Sequence, residues 1–194
     1  MKKFVIIAIT AFCAFAAVSG AQPRALGARI GGTGFDISYQ HTVGKKADFV
    51  QADLSLDFGY MASGAPGFKA SAGYNFVFAR PAWTQKGKWA IFAGPGLSLG
   101  YVQDRVRYFE SDNFFHYVHD YGFMLSVTGQ IGLEYTFWFP LQLSVDLRPY
   151  IGMHIDDGVT VRTGNTVVKT SGKVGFYDGG LLGFAPTISV RYRF

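Results

Sequence analysis

Residues 182–194, at the end of the chain, alternate in polarity with a period of two. Every second residue counted back from the end is apolar or proline, and the residues between are small, hydroxylated or charged. The apolar set is Phe194, Tyr192, Val190, Ile188, Pro186, Phe184 and Leu182. A period of two predicts a β-strand, and a strand with one apolar and one polar face suits a membrane-embedded barrel, whose two faces meet lipid and lumen.

Five other segments show the same alternation: 48–60, 68–79, 89–102, 122–137 and 141–153. Glycine, proline or charged turn residues bound each of them, as expected for strands. Within a bilayer an open sheet would leave edge N–H and C=O groups unpaired, so strands of this kind must close into a barrel. The sequence therefore predicts a closed antiparallel barrel in which each strand pairs with the strand that precedes it in the sequence.

The segment 24–43 decides the number of strands. Single-chain bacterial barrels have an even number, so this segment must supply two strands or none. We split it at residues 31–34, Gly-Gly-Thr-Gly, which gives eight strands; one long bulged strand is the alternative and would break the parity. Counting back from the C-terminus, the turns near 44–47, 80–87 and 138–140 face the periplasm, and the long segments 103–121 and 154–179 face outward.

The N-terminal residues 1–21 have the pattern of a secretory signal peptide. Lys2 and Lys3 precede an apolar core, and Ser19 and Ala21 supply the small side chains required before the cut. The core is shorter than the roughly 20 residues that span a bilayer. We therefore expect secretion across the inner membrane, cleavage after Ala21, and one domain, 22–194. The only cysteine, Cys13, would leave with the signal.

The overall charge argues against nucleic acid as a partner. Loss of Lys2 and Lys3 lowers the formal charge from +5 to +3, which is modest for a nucleic-acid-binding domain. Aromatic residues make up 17% of the chain, and several lie near predicted strand ends, where they suit a membrane interface. That interfacial set is Trp89, Tyr135, Phe137, Trp138, Phe139 and Tyr192.

The predicted inward rows carry ionisable side chains of both signs. An eight-stranded barrel has an interior just wide enough for its side chains, so buried charges are expected to pair. We interpret the interior as a plugged, ion-paired core; a gated narrow pore is the alternative reading. Arg193 and Lys69 lie near predicted strand ends, and the alternative for these two side chains is that they are solvated. The predicted lumen network is Arg29, Asp36, Asp53, Asp57, Lys69, Glu134, Asp146, Arg148 and Arg191.

The chain resembles the small eight-stranded outer-membrane barrels of the OmpA/OmpX type, in particular the barrel-only proteins common in Bacteroidetes. The resemblance lies in segments 28–31, 37–41, 92–96, 132–135, 143–149 and 188–194. It implies a monomeric outer-membrane protein in contact with membrane lipid and lipopolysaccharide. The terminal residues Phe194, Tyr192 and Val190 resemble the signal through which the barrel assembly machinery recognises its clients.

The external segments are the predicted contact surface for an unidentified extracellular ligand. Residues 103–120 mix aromatic, acidic and basic side chains, and 159–169 reads as a polar hairpin turning at 163–165. His116 and His119 lie near acids, but their spacing matches no strong metal motif, so we interpret them as solvated loop residues.

The sequence contains no pattern that predicts an enzyme or a cofactor site. A phosphate-binding glycine loop, an HExxH metal motif and a GxSxG elbow are all absent. A soluble lipocalin-like barrel would need its apolar rows inside, whereas the small and charged rows suit the interior here. We therefore expect a structural or surface-interaction component without metal or cofactor, with a narrow pore for small solutes or ions as the second hypothesis.

Overall fold

The computed structural model describes residues 23–32, 34–44, 47–58, 66–111, 114–156, 160–163, 166–169, 172 and 174–194; for 105–120, 160–163 and 166–169 it describes the backbone alone. The predicted signal segment 1–21 lies outside these residues. In chain order the elements are β1 (Arg24–Gly31), β2 (Gly34–Val43), β3 (Asp48–Asp57), β4 (Gly67–Ala79), β5 (Lys88–Ser111), β6 (Phe114–Thr136), β7 (Leu141–Leu147), β8 (Tyr150–Asp156), β9 (Thr160–Thr163), β10 (Thr166–Lys169), β11 (Val174–Phe176), a 3₁₀ helix η1 (Asp178–Phe184) and β12 (Thr187–Arg193).

The strands form a closed eight-stranded antiparallel barrel, as predicted. Strands β1 to β6 pair in sequence order, β7 and β8 together make the seventh span, and β11 and β12 make the eighth. β12 closes the wall by pairing with β1, and the backbones of Arg24 and Phe194 exchange two hydrogen bonds of 3.0 and 2.9 Å at the seam. No helix among the described residues is both long and apolar enough to span a membrane.

The split of segment 24–43 into two strands is confirmed. β1 and β2 pair from Arg24 opposite His41 to Gly31 opposite Gly34. Gly34 has φ +143°, a conformation that favours glycine, and this lets the chain reverse within a short turn.

Side chains alternate across the wall as the period of two requires. The inner face is mostly polar, with buried Ser38, Gln51 and Asp53 among many others. The outer face is apolar, and Leu97, Val127 and Ile151 are 63%, 56% and 57% exposed. A soluble barrel with an apolar lining would show the reverse. In this fold the polar side chains lie inside and the apolar side chains lie outside.

The strand predicted for residues 182–186 is wrong. Leu182 to Phe184 belong to η1, and β12 begins at Thr187. Val174 and Thr187 are thirteen positions apart, whereas their partners Ile155 and Asp146 are nine positions apart, so the eighth span contains four extra residues. These extra residues leave the ladder, and η1 accommodates them.

Strands β5 and β6 are longer than predicted. Their ladder continues beyond Gln103 opposite Tyr121, past a bulge, to Ser111 opposite Phe114. Segment 103–121 is therefore mainly a β-hairpin that extends the wall. The predicted hairpin at 159–169 is present as the β9–β10 pair, and its turn, 164–165, lies outside the described residues.

Two prolines interrupt the ladders near mid-wall. The β4–β5 ladder stops at Gly73 opposite Gly96 and resumes at Phe76 opposite Ala93, skipping Pro95, which has no N–H to donate. Pro149 similarly separates β7 from β8. Gly129 lies between the two prolines, and a shallow apolar groove of about 760 Å³ runs over this part of the outer surface.

Candidate functional site

The candidate site is the polar interior of the barrel. Eight of the nine predicted network residues are buried, and Glu134 is half-buried. Lys69 is buried, so the solvated position considered for it is wrong, whereas Arg193 is half-exposed. The contacts divide the interior into groups at successive heights, from the end that carries the chain termini (the terminal end) to the end that carries the long hairpins (the hairpin end).

At mid-height, Arg29 joins its own span to three others. Its guanidinium lies 3.1 Å from Asp36 Oδ2 and 2.7 Å from Asp146 Oδ1. The same side chain donates to the hydroxyl of Thr187, which in turn donates to Asp146 at 2.8 Å. Because Arg29 lies on β1 and its partners lie on β2, β7 and β12, the cluster ties together the two strands at the seam and their neighbours.

The second group is the ion pair of Arg148 with Asp53 of β3, on the far side of the interior. Asp53 also accepts hydrogen bonds of 3.1 and 3.2 Å from Gln51 Nε2. A void of about 10 Å³ adjoins this pair, roughly the room that one water requires. The pair spans the lumen because Asp53 lies on the third span and Arg148 on the seventh, on the opposite side of the barrel.

Arg191 is buried among hydroxyl groups. It donates to Ser38 at 3.1 Å, Ser144 at 2.9 Å and Ser189 at 3.3 Å. Within the described residues no carboxylate lies within ion-pair distance of it. It is thus the one arginine of the predicted network held by neutral partners alone among the described residues.

Towards the terminal end, Glu134 accepts a hydrogen bond of 3.0 Å from Gln40 and another from Gln142. Gln142 also donates to Gln40. The glutamines lie on predicted inward rows, but sequence reasoning about charges alone did not single them out.

Towards the hairpin end, Lys69 and Asp57 form a pair with Nζ 2.6 Å from Oδ2. The ammonium also lies 4.5 Å from the centre of the Tyr150 ring, within the range of a cation–π contact. Above the pair, an apolar layer closes the interior, formed by Val102, Met124, Tyr150 and Tyr177.

Tyr177 reaches this layer from the loop before η1. It is fully buried, and its hydroxyl donates to Asp57 at 3.4 Å. Asp104 anchors the loop by accepting hydrogen bonds from the backbone N–H groups of Gly179 at 2.7 Å and Asp178 at 3.2 Å. Burial raises the pKa of the Asp104 carboxyl, and those two N–H groups partly offset the shift. No sequence signal marked Tyr177, because it lies outside every alternating row.

The predicted interfacial aromatics all lie at the terminal end, and Tyr192 points outward there on β12. Trp89 and Tyr135 have ring centres 4.6 Å apart, and Tyr135 and Phe137 repeat that spacing. Trp138 is 66% exposed. The predicted assembly residues Phe194, Tyr192 and Val190 also point outward, at 61%, 59% and 46% exposure.

Chemically, this interior can hold charges in fixed positions and exclude bulk water. Among the described residues no three His, Cys, Asp or Glu side chains are grouped so as to hold a metal ion. The side chains of His116 and His119 lie outside the described part.

Comparison with known proteins returned no matching family model, no matching curated protein and no matching solved structure.

Proposed function

We propose that the chain is an integral outer-membrane barrel with a structural or surface-interaction role. The observation that carries the proposal is the exposed apolar belt around a polar, ion-paired interior. Water would disfavour such a large exposed apolar surface, whereas a bilayer solvates it and the closed wall leaves no unpaired strand edge. The arrangement of faces supports a membrane-spanning barrel better than a soluble ligand carrier.

The filled interior supports a structural role over transport. Arg29, Arg148 and Lys69 bind buried carboxylates inside the lumen at different heights. Opening a path would require separating buried ion pairs, and a buried charge that loses its partner is destabilising by about 3–5 kcal/mol. The proposed role therefore lies at the outer surface, where the β5–β6 hairpin extends from the wall to Ser111 and Phe114.

The proposed partners follow from this placement. Membrane phospholipid and lipopolysaccharide cover the belt, and the assembly machinery engages Phe194, Tyr192 and Val190 on the outer face of the last strand. The protein works as a monomer, because the eight-stranded wall is closed by its own first and last strands. An extracellular ligand would meet the hairpin end.

A narrow pore is the second candidate function. It is favoured by the void beside Arg148 and by Asp146 Oδ2, which has no hydrogen-bond partner among the described residues. Planar-bilayer recording separates the two functions. Reproducible discrete conductance, altered by Arg148→Gln or Asp146→Asn, would favour the pore.

The proposal is tested by gel mobility of unboiled and boiled protein in a purified outer-membrane fraction. We expect fast migration without boiling in that fraction, and its loss when Phe194 is deleted. A soluble periplasmic protein that is indifferent to the deletion would overturn the membrane proposal and favour a soluble carrier.

A further inference from the structure

The β4–β5 turn, residues 80–87, is hydrogen-bonded to the barrel wall at the terminal end. Thr84 Oγ1 donates to the carbonyl of Lys86 at 2.8 Å and accepts from Trp89 Nε1 at 3.1 Å. Tyr135 of the neighbouring strand donates to the same Lys86 carbonyl at 2.8 Å. Gly87 has φ +77°, and a Cβ there would overlap the Tyr135 ring. The turn is thus fixed to the wall at a defined height.

This turn and its flank carry three exposed basic side chains: Arg80, Lys86 and Lys88. Residues 80–88 contain no acid. Among the described residues no carboxylate forms an ion pair with any of the three. We call this set, together with Trp83, Trp89 and Trp138, the basic rim.

The acids of the described terminal end are engaged elsewhere. Asp48 accepts from the Val77 backbone N–H at 2.8 Å and from the Tyr74 hydroxyl at 3.4 Å. Glu134 faces the interior and binds Gln40 and Gln142. The positive charge of the basic rim is therefore not neutralised by an ion pair within the described part of the chain.

Aromatic rings accompany the charges. Trp83 is 61% exposed and packs edge-on against Trp89 at 5.3 Å, and Lys86 Nζ lies 5.6 Å from the ring centre of Trp138. Tryptophan rings favour the headgroup level of a bilayer. They would therefore hold the three basic side chains at the depth of the lipid phosphates.

We propose that the basic rim binds the headgroups of anionic phospholipids in the leaflet at the terminal end of the barrel. The inference rests on the proposed membrane-spanning function. It adds a chemical preference, since a belt of apolar side chains alone does not distinguish among headgroups. Basic residues near a membrane surface attract anionic lipid. Each basic residue enriches the anionic lipid in contact with it by roughly five-fold at most.

The chain supplies its own probe, because it has three tryptophans and Trp83, Trp89 and Trp138 all belong to the rim. The protein is reconstituted into vesicles of phosphatidylcholine and phosphatidylglycerol in which one lipid at a time carries bromine near the headgroup. Bromine quenches tryptophan on contact. We expect quenching to show a several-fold preference for brominated phosphatidylglycerol, and the preference to fall at high salt because screening weakens exposed charge pairs.

Two triple variants complete the test. Arg80→Gln, Lys86→Gln and Lys88→Gln together should remove the preference, and the charge-preserving triple Arg80→Lys, Lys86→Arg and Lys88→Arg should retain it. If the neutral triple does not fold, the salt dependence of the wild-type preference still tests the proposal.

Equal quenching by both brominated lipids in the wild type would overturn the headgroup preference and leave the membrane barrel standing. No quenching by either lipid would place the rim outside the bilayer and overturn both proposals. The two failures are therefore distinguishable in one experiment.

Discussion

Lys69 Nζ lies 2.6 Å from Asp57 Oδ2, and both side chains are buried beneath the apolar layer at the hairpin end. The pair joins neighbouring strands diagonally, since Lys69 stands opposite Ser55 and Asp57 stands opposite Gly67. A charge in this buried position depends on its partner, because little water reaches it to solvate the charge if the partner is removed.

Removing the lysine should therefore destabilise the barrel strongly. We expect Lys69→Met to lower the unfolding free energy by about 3–5 kcal/mol, because it removes the ammonium that balances the buried Asp57 carboxylate. Adding Asp57→Asn should recover much of the loss, since the buried negative charge is then removed as well. Denaturant titration of the protein in detergent measures both values. The control is Lys88→Met at an exposed position, expected within about 0.5 kcal/mol of wild type; an equal effect at both lysines would contradict the buried-pair interpretation.

A charge on the outer face tests the proposed lipid contact. Leu97→Arg should lower stability in lipid vesicles by about 2–4 kcal/mol, the usual cost of arginine on the lipid face near the bilayer midplane. Gln85→Arg, in the exposed β4–β5 turn, is the matched control and should change little. Urea titration in vesicles gives the comparison. Indifference of the barrel to Leu97→Arg in lipid would mean that this face meets water.

The terminal aromatic separates assembly from stability. Phe194→Ala keeps the two backbone hydrogen bonds with Arg24 and removes only an exposed ring. We expect refolding in detergent to change by about 0.5 kcal/mol or less, while the amount of folded barrel in cells falls several-fold. Phe184→Ala, at a similarly exposed phenylalanine of η1, should leave cellular assembly unchanged. If both variants assemble alike, the C-terminal ring is not the recognised feature.

Asp104 should make the unfolding free energy depend on pH. Its pKa is raised from the ordinary value of 3.8 by burial, so the folded state binds its proton more tightly than the unfolded state. Its contribution to stability is then complete below pH 3.8 and declines as the pH rises through the raised pKa. Asp104→Asn should remove this slope and keep an oxygen acceptor for the Gly179 N–H.

The matched variant Asp104→Ala loses the acceptor as well. We expect faster amide hydrogen exchange at Asp178 and Gly179, by about ten-fold or more, because a hydrogen bond to a charged group contributes about 1.5–3 kcal/mol. Unchanged exchange in the alanine variant would show that Asp104 does not anchor the loop.

The strand count and the facing of each strand could be predicted from sequence, because side-chain alternation is a local property of extended backbone. The glycines at 31–34 marked the β1–β2 turn correctly, because Gly34 adopts φ +143°, a local backbone conformation that favours glycine. The η1 segment could not be predicted this way, since Leu182, Phe184 and Pro186 continue the period of two through a helical turn. Its Gly180 and Gly183 pack closely against the backbones of Tyr150 and Arg148, a constraint that becomes visible only with the neighbouring span in place.

The members of the ion-pair core could also be predicted, but their partners could not. Arg29 meets Asp146 across 117 positions of sequence, because barrel closure brings the first and seventh spans to the same height. Arg191 was expected among charged partners and instead meets serines. The choice of ion-pair partners depends on strand register and on barrel closure, and the alternation within one strand predicts neither.

The seam at Arg24 and Phe194 gives the barrel a cyclic order. Because the first and last strands are hydrogen-bonded neighbours, each of the eight spans has a neighbour on both sides, and the seam differs from other junctions only in lacking a covalent connection. A short linker across the seam and a new break in another turn would give a circular permutant with the same wall. Which strand comes last is then a matter of where the chain is cut, so the identity of the terminal strand can be separated from the architecture that contains it.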